Sequence, residues 1–378
     1  MPVYLDCAAT TPIDPRVLDV CVRYMRDDIG NAASRTHPQG QAARKAVERA
    51  RDQIAAVTGC SRGDVIFTSG ATESNNLAIL GLAESGRRAG KRHIVTTAIE
   101  HRAVLEPLEI LASRGFDVTY VAPNRQGWVD PDAVAAAVRA DTLLVSVMHV
   151  NNETGVIQPV DEIAEKLAAT PVVFHTDAAQ GFGKQIPALR HERIDLISIS
   201  GHKIGGPQGV GALIVRRRGQ NRAPLDPLLF GGGQERGLRP GTLPVALIAG
   251  FGEAASLWMS ECGERMAKGA AYRDQLLAGI APLQPAINGD PERSVPFILN
   301  VSFPGADSDT IMQAWEDLVS VSAGAACSSQ SYTCSHVLSA MRIPGDLSAS
   351  AIRFSWDHRT PTPDFAAMVA ALRQVEAL

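Results

Sequence analysis

At 378 residues the chain is long for one hydrophobic core, and two structural units are the expectation. Apolar residues at 45% and charged residues at 20% are ordinary for a soluble globular enzyme. A net charge of −4 supplies no electrostatic footprint for nucleic acid or an anionic membrane, and no run approaches the ~18 apolar residues of a membrane span.

The N-terminus, "MPVYLDCAATTPID", has neither a basic region nor an apolar stretch, so no signal peptide is read and a cytoplasmic location is expected. From about residue 60 to 215 short apolar runs alternate with longer amphipathic ones. Strands are expected at 65–68, 93–97, 118–121, 143–149, 172–175, 196–200 and 212–215, and helices at 73–83, 102–113, 131–139 and 160–168. Such alternation argues for a largely parallel sheet covered by helices, with ligands at the carboxyl ends of the strands. Polar groups collect at those ends: Ser69-Gly70-Ala71-Thr72, Glu100-His101, Asn151-Asn152-Glu153, Asp177 with Gln180, and Ser200-Gly201-His202-Lys203. The Gly/Pro-rich "LFGGGQERGLRPGTLP" follows as an ordered loop, and a long helix begins near Val245. Beyond it the pattern predicts strands at 297–303, 319–322 and 351–355 and helices at 308–318, 335–341 and 363–378, with a loop of small residues through Cys327.

Six cysteines are scattered, none in a CxxC, so neither a zinc site nor a redox pair is indicated and no metal is expected. Most should be small buried hydrophobes.

The segment "DLISISGHKIGGPQGVGALIV" places Lys203 between the end of one strand and a glycine-rich run. No GxxxxGK[ST] occurs, which excludes a P-loop. A lone lysine there is ordinarily a solvated turn residue. Beside polar groups from four other strand ends it suggests a Schiff base, which needs a desolvated or cationic setting because a free amine titrates near ~10.4. The aldehyde cofactor that such a lysine holds is pyridoxal phosphate. Its phosphate wants backbone N–H groups at a helix start, and Gly70 and Thr72 in "FTSGATESNN" supply them, although an ordinary helix cap has the same pattern. Its ring nitrogen wants a carboxylate, for which Asp177 in "VVFHTDAAQ" is placed. His101 has the flat group to stack on the ring, although a lone histidine is usually a surface residue.

In order along the chain, "YLDCAATTPID", "GNAASRTHPQG", "FTSGATESNNLAI", "EHRAVL", "VSVMHVNNETGVIQP", "HTDAAQGFGK", "SGHKIGGPQGVGAL", "GGGQERGLRPGTLP", "SAGAACSS" and "SASAIRFS" resemble the cysteine desulfurases. These are pyridoxal-phosphate enzymes of the aminotransferase class V fold. The resemblance implies an α/β architecture of fold type I: a large domain with a mixed, mostly parallel sheet (15–255) and a smaller α+β domain (1–14 and 256–378). It implies that Lys203 carries the cofactor and shuttles the proton at the substrate α-carbon. Asp177 would pair with the ring nitrogen, Gln180 with the ring hydroxyl, and His101 would stack on the ring and exchange protons. Ala71, Thr72, Ser200 and His202 would hold the phosphate, with Thr242 reaching across from a second subunit of a homodimer. Arg353 would clamp the substrate carboxylate, a geometry suited to arginine, with Asn152 helping.

Cys327 would be the nucleophile that takes sulfur from L-cysteine, leaving alanine and a persulfide for an acceptor protein. Without that context a buried inert thiol is the ordinary reading of a cysteine; the polar, small-residue loop "SAGAACSSQSYTCSH" suits an exposed thiol instead. Departures from the family pattern are Cys7, Ala32 and a second loop thiol, Cys334, which either relays sulfur or is incidental. The final helix stops at Leu378 without the longer tail of some iron–sulfur housekeeping members, which turns the resemblance toward a specialised desulfurase such as the one serving DNA phosphorothioate modification. Selenocysteine lyase and plain class V aminotransferase are the alternatives on this fold. A sulfur-carrier scaffold without cofactor is contradicted by Lys203, Asp177 and His101 together.

Overall fold

The computed structural model describes residues 1–323 and 335–376; Cys327 and Cys334 lie outside the described residues. A two-residue strand, β1 (Val3–Tyr4), opens the chain. The strands β2 (Val65–Thr68), β3 (His93–Thr97), β4 (Asp117–Val121), β5 (Thr142–Ser146), β6 (Val173–Asp177), β7 (Leu196–Ser200) and β8 (Gly211–Val215) form one sheet in the order β2-β8-β7-β6-β5-β3-β4. Neighbours from β7 to β4 run parallel, and only β8 is antiparallel to its partners β2 and β7. The expected mixed, mostly parallel sheet is therefore present. Five of these strands are buried along their whole length, as both faces of a helix-covered sheet require.

Boundaries moved where backbone groups found other partners. The run expected at 143–149 leaves the ladder after Ser146, while β6 continues to Asp177. Val147 and His149 still donate their N–H groups to the carbonyls of His175 and Asp177, at 3.1 and 2.8 Å. The helix expected at 73–83 begins at Ala71 and ends at Leu80, with a second one over Ala83–Arg88. At Gly81, between them, a Cβ would lie 2.9 Å from the carbonyl oxygen of Asp226.

Two N-terminal helices, Pro15–Arg26 and Pro38–Thr58, have proline in the first turn, and the side chains of Asp14 and His37 cap them. Both pack on the long helix Val245–Ile280, which spans the domain boundary expected at 255/256 without a break. A short hairpin, β9 (Arg217–Arg218) and β10 (Asn221–Arg222), precedes that helix. After it come β11 (Ala286–Ile287), β12 (Ile298–Ser302), β13 (Val319–Ser320), β14 (Ser322–Ala323) and β15 (Ala351–Ser355). The second sheet is antiparallel in the order β11-β12-β15-β14. The one strand expected at 319–322 is thus two, β13 pairing with β1 and β14 with β15. One hydrophobic cluster joins Phe174 of the large sheet through Phe251 and Trp258 to Phe297 and Trp356 beside the small sheet. Among the described residues no helix is long and apolar enough to cross a membrane.

Candidate active site

A cavity of about 530 Å³ opens at the carboxyl ends of β2, β6 and β7, and ten of the residues singled out from the sequence line it. They are Ala71, Thr72, His101, Asn152, Asp177, Gln180, Ser200, His202, Lys203 and Arg353. Thr242 does not line it: this residue is exposed and borders a separate hollow with Asn31, Arg44 and Gln234.

At one end β2 passes through Ser69 and Gly70 into the helix Ala71–Leu80. The first N–H groups of a helix have no acceptor within it and carry partial positive charge, so the turn is built for an anion. Ser200 Oγ, buried and without a partner among the described residues, adds a hydroxyl donor at the same end. The turn lies directly on bare backbone, since a Cβ on Gly211 would sit 2.6 Å from Gly70 Cα. Glu73 braces it by accepting from Ser69 N–H at 2.7 Å and from Arg239 Nε at 3.0 Å. His202 stands 3.2 Å from Thr10 Oγ1, and burial, aided by the charges of Lys203 and Lys184, pushes its imidazole down to about 4. With no anion beside it, His202 is neutral near pH 7.

Asp177, the last residue of β6, is 5% exposed. Its carboxylate accepts from Asn75 Nδ2 at 2.7 Å and from Ala179 N–H at 2.9 Å. Lys203 Nζ donates to the carbonyls of Ala8 and Ala9 at 2.5 and 2.7 Å. Gln180 Nε2 donates to the same Ala8 oxygen at 2.8 Å, leaving its own carbonyl oxygen without a partner among the described residues. His101 is the N-cap of the helix Arg102–Ser113, and its Nδ1 accepts from Ala103 N–H at 3.0 Å. Nδ1 thus carries no proton. Burial pushes the ring below its ordinary value, the Asp177 carboxylate opposing and Lys203 reinforcing that shift. Next to it Glu100 is fully buried, accepting from Thr97 Oγ1 at 2.7 Å and Met148 N–H at 2.8 Å, and burial pushes its carboxyl up to about 8.

At the other end Arg353, in the middle of β15, is 3% exposed. It donates from one terminal nitrogen to the carbonyl of Asn152 at 3.0 Å and from the other to Asp6 Oδ1 at 2.7 Å, while Nε has no partner among the described residues. The sequence reading missed Asn75, Asp6 and the structural part of Glu100. Asn75 and Asp6 lie inside motifs quoted above, and a polar residue one or two helical turns into a glycine-started helix is the signal that was available for Asn75. The carbonyls of Ala8 and Ala9 have no sequence signature, because every residue has one.

The set fits pyridoxal phosphate. An anion-binding helix start, a buried carboxylate and an amine converge on one cavity, with orphaned polar atoms on Ser200 and Gln180 to be satisfied.

Comparison with known proteins agrees. Residues 3–356 match the aminotransferase class-V family model. The chain is 46% identical over 358 residues to the cysteine desulfurase IscS of Serratia proteamaculans, covering 94% of this chain and 88% of that protein. Among solved structures it superposes on DndA from Streptomyces lividans with a TM-score of 0.83 at 50% identity, covering 95% of this chain and 99% of the other. SspA, solved in complex with cysteine, matches with a TM-score of 0.82 at 35% identity over 95% of this chain and all of that one. The chain belongs to the class V aminotransferase family, among its cysteine desulfurases.

Proposed function

We propose that this chain is an L-cysteine desulfurase that carries pyridoxal phosphate on Lys203 and delivers sulfur through a persulfide on Cys327. The observation that carries this reading is the convergence of Lys203, Asp177, the helix start at Ala71 and Arg353 on one cavity. The bound cofactor supplies an electron sink for charge that develops at the substrate α-carbon. Asp177, held by Asn75 and the Ala179 N–H, offers the ring nitrogen a fixed carboxylate. Arg353 and Asn152 orient the substrate carboxylate, which leaves the α-carbon within the range of Lys203. Because His101 uses Nδ1 as a helix cap, Nε2 is the atom with which it exchanges protons. The Cys327 thiolate attacks the substrate sulfur; the carbon–sulfur bond breaks with its electrons going to carbon, and protonation there yields alanine.

The protein works as a cytoplasmic homodimer in which Thr242, exposed within its own chain, contributes to the partner's phosphate site. Its two units, 15–255 against 1–14 with 256–378, share the long helix. The sulfur acceptor serves DNA phosphorothioate modification, a reading supported by the 50% identity to DndA, with iron–sulfur assembly as the other destination.

The test is Cys327→Ser. It should retain cofactor and give the absorbance change on mixing with L-cysteine, yet release no sulfide, since a hydroxyl cannot form a persulfide. Mass spectrometry of the wild type after cysteine addition should find one added sulfur on the Cys327 peptide. Full turnover by Cys327→Ser sinks the mechanism.

A further inference from the structure

Arg353 has a carboxylate partner that does not line the cavity. Asp6 lies alongside β15, bridged to Ser355, with Cys7 N–H on the Ser355 carbonyl at 3.1 Å and Ala8 N–H on Ser355 Oγ at 2.8 Å. Tyr4 Oη closes the turn from outside, donating to the carbonyls of Asp6 and Thr10 at 3.0 Å each. From this position Asp6 Oδ1 accepts a hydrogen bond from an Arg353 terminal N–H at 2.7 Å, while Arg353 itself faces the cavity. A guanidinium has more N–H groups than these two contacts use, and Nε is buried without a partner among the described residues. Glu153, a second carboxyl whose charge Arg353 feels, is occupied by the Ser335 hydroxyl and is pushed up to about 7 by burial. Asp6 is the carboxylate that compensates the buried cation. Within three further residues the same segment gives Lys203 its two carbonyls.

We infer that Asp6 is a positioning residue for the substrate carboxylate: it fixes the Arg353 guanidinium at the cavity wall and never touches substrate. Charge-assisted hydrogen bonds hold geometry as well as charge, and a buried arginine that loses its carboxylate is both uncompensated and free to turn. The inference rests on the reading of Arg353 given above and extends it to a residue outside the cavity.

The test compares two amines on the cofactor-loaded enzyme, L-cysteine and cysteamine, which lacks the carboxylate. Half-saturation of the absorbance change is read for each. Asp6→Asn should weaken L-cysteine about tenfold, the scale of one charge-assisted hydrogen bond, and leave cysteamine within about twofold. Asp6→Glu, keeping the charge on a longer arm, should recover part of the loss. If Asp6→Asn does not fold, Asp6→Glu alone carries the test, with a smaller but still cysteine-selective weakening. Equal effects on both amines, or none on either, overturn the inference. Arg353→Gln in parallel separates the two readings. If it leaves L-cysteine binding unchanged, the assignment of Arg353 fails; if it weakens binding while Asp6→Asn does not, only the role of Asp6 fails.

Discussion

Glu100 adjoins the residue read as the ring-stacking histidine, and its carboxyl is enclosed without a cation to pair with among the described residues. The native chain keeps its proton up to about 8, whereas the unfolded chain releases it near 4.5. In that window the folded state binds more protons, so this group's contribution to stability falls as pH rises from about 4.5 through about 8. Glu100→Gln keeps an acceptor for Thr97 and the Met148 N–H and removes the titration. Its melting temperature relative to wild type should therefore rise between pH 5 and pH 8; parallel curves across that range would count against the assignment. Asp177→Ala tests the electron sink: cofactor should remain bound through the phosphate turn, while alanine formation falls by roughly 10²–10³, typical of a lost preorganised electrostatic group. Asn75→Ala should lower the rate less, because Asp177 keeps the Ala179 N–H.

At the scale of elements, the turn proposed to hold the phosphate depends on two strands and on a glycine outside the cavity lining. Any side chain on Gly211 would drive into the backbone of Gly70, so Gly211→Ala should displace the helix start at Ala71. Loss of cofactor on dialysis, at a rate several times that of wild type, is the expected result, read by absorbance. Retention equal to wild type would show that the turn can give way. These elements also show what was legible in the sequence. The β2 run and the "FTSGATESNN" motif marked the turn because apolar periodicity and glycine placement are local properties. Helix 38–58 went unread, its glycine- and proline-bounded start being hidden in a polar stretch with no strand beside it. The split of 319–322 into β13 and β14 was also illegible, because partners more than three hundred and about thirty residues away decide it.

For the whole molecule, composite sites in a homodimer make a prediction that a single chain cannot. If Thr242 completes the partner's phosphate site, Thr242→Ala should retain cofactor less well although the residue lies away from its own cavity. Mixing Lys203→Ala chains with Thr242→Ala chains should then create heterodimers with one fully native site. Cofactor retention after subunit exchange should exceed the mean of the two variants; a value equal to that mean would place Thr242 outside the site. By itself the sequence determined the strand and helix alternation, the lysine, the aspartate and the glycine turn, because each is written in residues adjacent along the chain. Only the tertiary structure decided that Asp6 compensates Arg353, that Asn75 holds Asp177, and that Ala8 and Ala9 receive Lys203. Those pairings join residues separated by 347, 102, 195 and 194 positions, and hydrogen bonds of that range are set by how sheets and helices pack.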